Sequence, residues 1–518
     1  MQASTSNQGI FWEEAREQFE EIVGWLDSDS ICGLEHGEIE SKLLENGYEL
    51  LRRLLQGYFN KRSEDEIEGE CTGSDEAKRT HKKRLSRKLT TIFGTVITNR
   101  IGYGGRKINS LNPLDAELNL PVEQYSHGLR QRVAVEVARS GFRETVEIIE
   151  KTTAAKIGLR QAEELAYKSA SDFDEFYWQQ QAQSKELKET GEIVVISADG
   201  KGVVVRTEDL RAETQKRARE TSKKLNKRLT KGEKRNSKRM ATVASVYTIN
   251  PFVRTPQQIV SPSNEDKKIK RPRPIGKSVW ASLTKQPELV VSEAFDEALH
   301  RDPNKQKRFC ALVDGNKTQL SLLNKFAKCH NLNLTIVLDI IHVIEYLWKA
   351  AFAFYSDTNK QVEDWVSKRL LLILSGKSSS VAAGMRRSAT LRQLTPSQRK
   401  PVDNCARYLL NNANYLKYDD YLKAGLPIAT GVIEGACRHL IKDRMDITGA
   451  RWSLAGAEAV LRLRSVYISG DWDEYWRFHL LQEHQRNHLA LYFGAIPLMK
   501  QVIQARCSIT PPPLAIPV

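Results

Sequence analysis

The chain has 518 residues, 40% apolar and 28% charged, enough to bury a sizeable core in three or four domains of roughly 150 residues each. No run of about 18 apolar residues occurs, which excludes a membrane-spanning helix, and seven cysteines without a CxxC pair exclude a disulfide scaffold or zinc ribbon. The net charge of +15, with a pI near 9.3, suits a polyanionic partner.

In chain order, residues 1–66 form an N-terminal helical region. Phe11, Phe19, Ile22, Val23 and Leu26 space as one amphipathic helix, and Leu43, Leu44, Leu51, Leu54 and Leu55 as a second. The opening residues lack a basic-then-apolar leader, and the reducing-compartment cysteine usage predicts a cytoplasmic protein. Residues 67–125 hold a basic run, Lys78 to Lys88, then a β-branched stretch, Leu89 to Tyr103, with Gly94 near its middle. That pattern predicts a hairpin, and prolines 113 and 121 mark a connector. Residues 126–185 read as short helices broken at Gly141 and Gly158, the outline of a helix-turn-helix or of any three-helix core. In the first case Arg160, Gln161 and Lys168 lie on the helix that enters a DNA groove.

The period then changes. Ile193 to Ala198 and Gly202 to Arg206 read as two strands joined through Asp199-Gly200-Lys201, an antiparallel pair, and Ala241 to Ile249 as a third. Between them, residues 211–240 hold 13 Lys/Arg against 3 Asp/Glu. This stretch predicts an exposed excursion, a solvated face or a grip on phosphates. A further basic run spans Lys267 to Lys277. Arg308 to Val313 and Leu334 to Leu338 complete five strands with helical material between them, so residues 190–342 predict a mixed sheet flanked by helices. Residues 343–425 are helical throughout, 426–485 add further helices, and 486–518 end in a proline-rich tail.

Two aspartates, Asp199 and Asp314, stand where an apolar strand meets glycine. Such a pair either makes good turns or presents carboxylates rigidly to magnesium, which prefers oxygen ligands. Glu434 shares a helix with Arg438 and Lys442 at i, i+4 and i+8, beside an apolar face of Ile433, Cys437, Leu440 and Ile441. That stripe is either a plain salt bridge or a carboxylate with cations along a phosphate backbone.

The residues SADGKG (197–202), VDGN (313–316), IEGACRHLIKDR (433–444) and GARWS (449–453), with LDAELNL (114–120) and YSHGLR (125–130), resemble the ISKra-type family of bacterial DDE transposases. The Asp339-Ile340-Ile341-His342 run resembles the wider Mutator-like group. The resemblance implies an RNase H-like catalytic core, with residues 343–425 as an all-helical insertion before the glutamate helix. It also implies a mainly helical N-terminal DNA-binding region. Asp199, Asp314 and Glu434 become the catalytic, metal-binding triad, with Mg²⁺ as cofactor and Mn²⁺ as substitute. His342 orders the site, or merely starts a helix. Arg438, Lys442, Arg444, Arg451 and Trp452 contact DNA, unless Trp452 is a core residue. The implied partners are the transposon's terminal inverted repeats and target DNA, bound by a homodimer or larger synaptic assembly in the bacterial cytoplasm, at the nucleoid and away from membranes. The implied activity is Mg-dependent end cleavage and strand transfer. A domesticated, non-catalytic DNA-binding regulator and an RNase H-like nuclease without strand transfer are the alternatives.

Overall fold

The computed structural model describes residues 10–66, 70–182, 190–220, 236–355, 361–494 and 496. The chain divides into two compact units, residues 1–176 with 473–518, and residues 177–472. The segments expected at 126–185 and 426–485 are therefore each split between units. No described helix is long and apolar enough to cross a membrane.

In the first unit, helices Glu13–Leu26 and His36–Glu64 precede a three-stranded antiparallel sheet. The longer helix buries only Gly57 and Phe59, and the apolar positions Phe19, Leu43, Leu44, Leu51 and Leu54 are exposed. Much of the face expected to pack is thus open to solvent, although Ile22 is buried and Leu55 packs against Phe59 and Leu89. The hairpin is longer than its apolar stretch implies: His81–Thr91 pairs with Gly94–Gly105, turning between Thr91 and Gly94. Most of the basic run from Lys78 lies on the first of these strands, with Lys82, Lys83, Arg84 and Lys88 exposed and Arg87 turned onto Asp115 at 3.8 Å. Helices His127–Arg139, Phe142–Thr152 and Leu159–Ser169 follow, and Trp472–Asn487 returns to this unit from Asp473 onward. They are tied by buried charge. The fully buried Arg130 guanidinium donates to Glu123 at 2.7 Å and Glu483 at 2.6 Å, and Asp172 binds His479 at 2.6 Å and Arg486 at 2.7 Å.

The second unit is built on a mixed five-stranded sheet: β1 (Ile193–Val204), β2 (Lys238–Ile249), β3 (Ile275–Ser282), β4 (Arg308–Val313) and β5 (Leu334–Leu338). The order is β5-β4-β1-β2-β3, with β1 antiparallel to β2, β2 antiparallel to β3, and β1, β4 and β5 mutually parallel. The expected two strands around Asp199 are one. Gly200 and Gly202 do not turn the chain; they lie in the β1–β2 ladder beneath Met240 and Lys238, where a Cβ on Gly202 would crowd the Lys238 side chain at 2.9 Å. The count of five is restored by β3, which begins in the basic run 267–277. Its Pro272 and Pro274 hid a strand that starts only at Ile275.

Of the basic excursion, Ala212–Glu220 is helical and β2 begins at Lys238, while residues 221–235 lie outside the described residues. Within 343–425, helices Gln361–Leu374, Ser378–Leu391, Pro396–Asn411 and Tyr418–Lys423 share one continuous core with β1, β4 and β5. Apolar strands buried on both faces give this core its rigidity.

Replacing Arg130 by Met should lower the unfolding free energy by about 1–3 kcal/mol, because Glu123 and Glu483 would lose their buried donor and keep only Lys168 and Arg486. Urea unfolding monitored by tryptophan fluorescence checks this; an unchanged midpoint and slope would show that the pair is replaceable.

Candidate active site

The parallel registers place three aspartates in one row. Ser197 faces Leu312 and Val313 faces Leu338, so continuing both registers aligns Asp199, Asp314 and Asp339. Asp199 is inside its strand, because β1 runs on against β2 after its pairing with β4 has ended. Asp314 is at a true strand end: Gly315 follows with φ +90°, a left-handed turn that suits glycine.

The helix Gly431–Ala436 brings Glu434 to the same place. A cleft of about 570 Å³ is walled by Asp199, Asp314, Glu434 and His342, with Lys201, Arg438 and Lys442 among its cations. The helix continues from Cys437 to Lys442 as a π-helix, so the even i, i+4, i+8 stripe is not kept. No Glu434–Arg438 ion pair forms among the described residues; Arg438 instead lies 3.7 Å from Asp443. The apolar face is as expected, with Ile433, Cys437, Leu440 and Ile441 buried. The Cys437 thiol reaches Asp199 Oδ2 at 3.2 Å, and the Gly200 N–H donates to Oδ1 at 2.6 Å. Burial, and then the Asp199 charge, push the Cys437 thiol far above its usual range, so it stays a neutral donor.

Asp339 has a different task from its neighbours in the row. Its carboxylate is 1% exposed and caps helix Ile340–Ala351 through the Ile341 N–H. It also accepts from the Thr430 N–H at 3.1 Å, the Thr430 hydroxyl at 2.7 Å and His342 Nδ1 at 2.8 Å. Burial pulls its pKa upward, but the hydrogen bonds from His342, Thr430 and the backbone outweigh it and leave the value below the usual range. The Asp339 hydrogen bond in turn raises His342 above its ordinary value, against a smaller lowering by burial. An ionised Asp339 fixes Nδ1 as the protonated nitrogen and turns Nε2 to the cleft.

The donors suit an oxygen-preferring cation: four carboxylates line one cleft, and of these Glu345 pairs with Lys349 while Asp199, Asp314 and Glu434 make no ion pair among the described residues. Among the described residues no three acidic, histidine or cysteine side chains are already gathered as a ligand set.

The other expected contacts divide. Arg451 is exposed. Trp452 is 7% exposed and donates through Nε1 to the Met445 carbonyl, and the buried Arg444 lies 4.9 Å over its ring. Trp452 thus packs as its core alternative has it, and Arg444 is buried beside it, where a contact to DNA would need an exposed group. Arg160 and Lys168 share helix Leu159–Ser169 with Gln161; they pair with Glu164 and Glu123, at 3.1 and 3.0 Å. Lys201 was missed, although strand alternation puts it on the Asp199 side at i+2. Thr430, 91 residues from Asp339 in sequence, gave no signal.

No protein-family model matches this chain, and no curated protein matches it. Among solved structures, a Drosophila P element transposase strand transfer complex is similar at a TM-score of 0.24 and 10% identity, over 73% of this chain and 84% of that one. A likeness of that size decides neither fold nor activity.

The raised His342 value means that its pairing stabilises the fold fully below about pH 6.5 and loses that contribution as pH climbs through the raised value. The lowered Asp339 value acts at the other end: its contribution is present above about pH 4 and fades as pH falls through the lowered value. Asp339→Asn should return His342 to or below its ordinary range in a ¹³C-histidine NMR titration; an unmoved titration would separate the two residues. Thr430→Val should cost about 1–3 kcal/mol at neutral pH, measured by urea unfolding, by leaving a buried carboxylate oxygen short of a donor.

Proposed function

We propose that this chain is a DNA-cleaving and strand-joining enzyme, a DDE transposase of the ISKra type, with residues 177–472 containing an RNase H-like core. The observation that carries the reading is the aspartate row: Asp199 and Asp314 at adjoining positions of parallel strands, with Glu434 and three cations on the same cleft. The strand order supports it too. The first strand is central, the next two run antiparallel on one side, and the fourth and fifth run parallel on the other, the arrangement expected of that core.

Magnesium, with manganese able to stand in, would be held by Asp199, Asp314 and Glu434; when bound it neutralises phosphate charge and makes water a stronger acid. The chain's own residues do the rest. Lys201, Arg438 and Lys442 hold the phosphate backbone by charge, which fixes position without reading sequence. His342 holds its Nδ1–H on Asp339 and, in the imidazolium form that this pairing favours, donates Nε2–H to a phosphate oxygen near the scissile bond. The Cys437 thiol and Gly200 N–H keep the Asp199 carboxylate in one orientation. Water attacks the phosphodiester at the element's end and displaces its 3′-oxygen as a hydroxyl; the same site then directs that hydroxyl onto a target phosphorus, where it displaces the target strand's own 3′-oxygen. The substrates are the terminal inverted repeats and target DNA, bound by a dimer or larger synaptic assembly at the bacterial nucleoid.

Incubation with DNA bearing the element's own ends and Mg²⁺ tests the reading. Asp199→Asn, Asp314→Asn and Glu434→Gln should each slow strand cleavage by about a hundredfold or more, since each removes a ligand from a centre that contributes several kcal/mol. Affinity for end DNA should change little. Cleavage unaffected by all three changes would sink the reading; binding without any cleavage would favour the regulator. Arg438→Gln and Lys442→Gln should each reduce the salt slope of DNA binding by about 1.

A further inference from the structure

A second cleft, of about 620 Å³, begins at Gly315, directly after Asp314. Two aromatic rings line it: Tyr346 and Tyr408 stack at 4.3 Å with their rings 16° apart, and Lys349 lies 5.4 Å over the Tyr346 ring. Tyr408 also donates its hydroxyl to the Asp314 carbonyl at 2.9 Å, so the aromatic pair is fixed to the residue that lines the active-site cleft. Around it stand the exposed cations Arg407 and Lys317, without ion-pair partners among the described residues, and the exposed amides of Asn404 and Asn411. An apolar ligand would leave two cations and two amides unused. Duplex DNA hides its base faces in its own stack. A single unpaired nucleotide matches the rings, the exposed amides and the two cations: a flat ring, polar base edges and a phosphate.

We infer that this cleft is a subsite for one unpaired nucleotide of the processed strand. Its base lies against the Tyr346–Tyr408 pair, its edge on Asn404 and Asn411, and its phosphate on Arg407 and Lys317. The identity of the strand rests on the proposed DNA-processing reading; the chemistry of the cleft does not. Stacking accepts any base, because every base has a π-face, so the subsite selects an unpaired end rather than a sequence. Burial, and then the Asp314 charge, raise the Tyr408 phenol above its usual range, which keeps it a neutral donor to the Asp314 carbonyl.

The test is binding by the full chain carrying Asp199→Asn, so that cutting does not intervene. The probes are a blunt duplex and the same duplex with a short unpaired tail containing 2-aminopurine. The tailed DNA should bind about tenfold more tightly, with 2-aminopurine quenched. Arg407→Ala with Asn404→Ala, both at exposed positions, should erase that preference while leaving blunt-duplex affinity within about twofold. Tyr346→Phe should keep the quenching and Tyr346→Leu should lose it, with thermal melting used to confirm folding. Equal affinity for the two probes, or a preference that survives the double change, would overturn the inference. Free dAMP that displaces the tail at concentrations sparing the blunt duplex would overturn the assignment to a strand, and failure to displace it supports that assignment. Loss of Mg-dependent cleavage in the parent protein, with the tail preference intact, sinks the proposed reaction and not the subsite.

Discussion

One buried carboxylate ties together the unit of residues 177–472. Asp339 sits where β5 ends and the helical stretch begins, and its oxygens are spent on His342, on the Ile341 N–H and on Thr430. Thr430 is 91 residues further along the chain, at the threshold of the Glu434 helix. The entry and exit of the long helical segment are thus clasped together, and the Ile340 N–H to Ile428 carbonyl bond reinforces the clasp. Closing a loop of this length adds little entropic cost over a shorter one. What matters is that an ion at 1% exposure must find donors, and this one finds them only when both ends of the segment are in place. Glu434 is positioned by the same closure.

The helical segment repays the sheet in kind. β5 pairs only with β4, which leaves one line of its carbonyls open, the usual liability of an edge strand. Tyr418 and Tyr421 donate their hydroxyls to the Leu338 and Ile336 carbonyls, at 2.8 and 3.2 Å, and Tyr408 donates to Asp314. Two tyrosines from the segment therefore close the edge of the sheet, and a third holds the end of β4 beside the site. The segment and sheet share one apolar core, so it is structural support for the carboxylate row as much as an added part.

Much of this was legible in the sequence, unevenly. Apolar runs such as IVVISA and LTIVL announced buried strands because parallel strands covered on both faces need no alternation. Asp314-Gly315 was readable as a strand end, and the φ of +90° at Gly315 is why. The same dipeptide at Asp199-Gly200 misled, since there the glycines make room for the side chains of β2 instead of a turn. Trp452 could be read as base contact or core from sequence alone; only its bond to the Met445 carbonyl decides for packing. The Thr430 partnership was out of reach, because a contact across 91 residues leaves no periodic trace.

The row of aspartates also explains why the acids differ in environment. All three occupy the same register position, yet Asp339 lies in the edge row, roofed by the Thr430 turn, and Asp199 and Asp314 open to the cleft. A carboxylate with four donors around it has no lone pair to spare for a ligand, whereas those with one or two keep theirs available. Cys437 sharpens the contrast. A buried thiol, held neutral, donates weakly to Asp199 and orients it without taking its charge. The sheet thus sorts identical side chains into a structural ion and two available ones by what the returning helical segment lays over each.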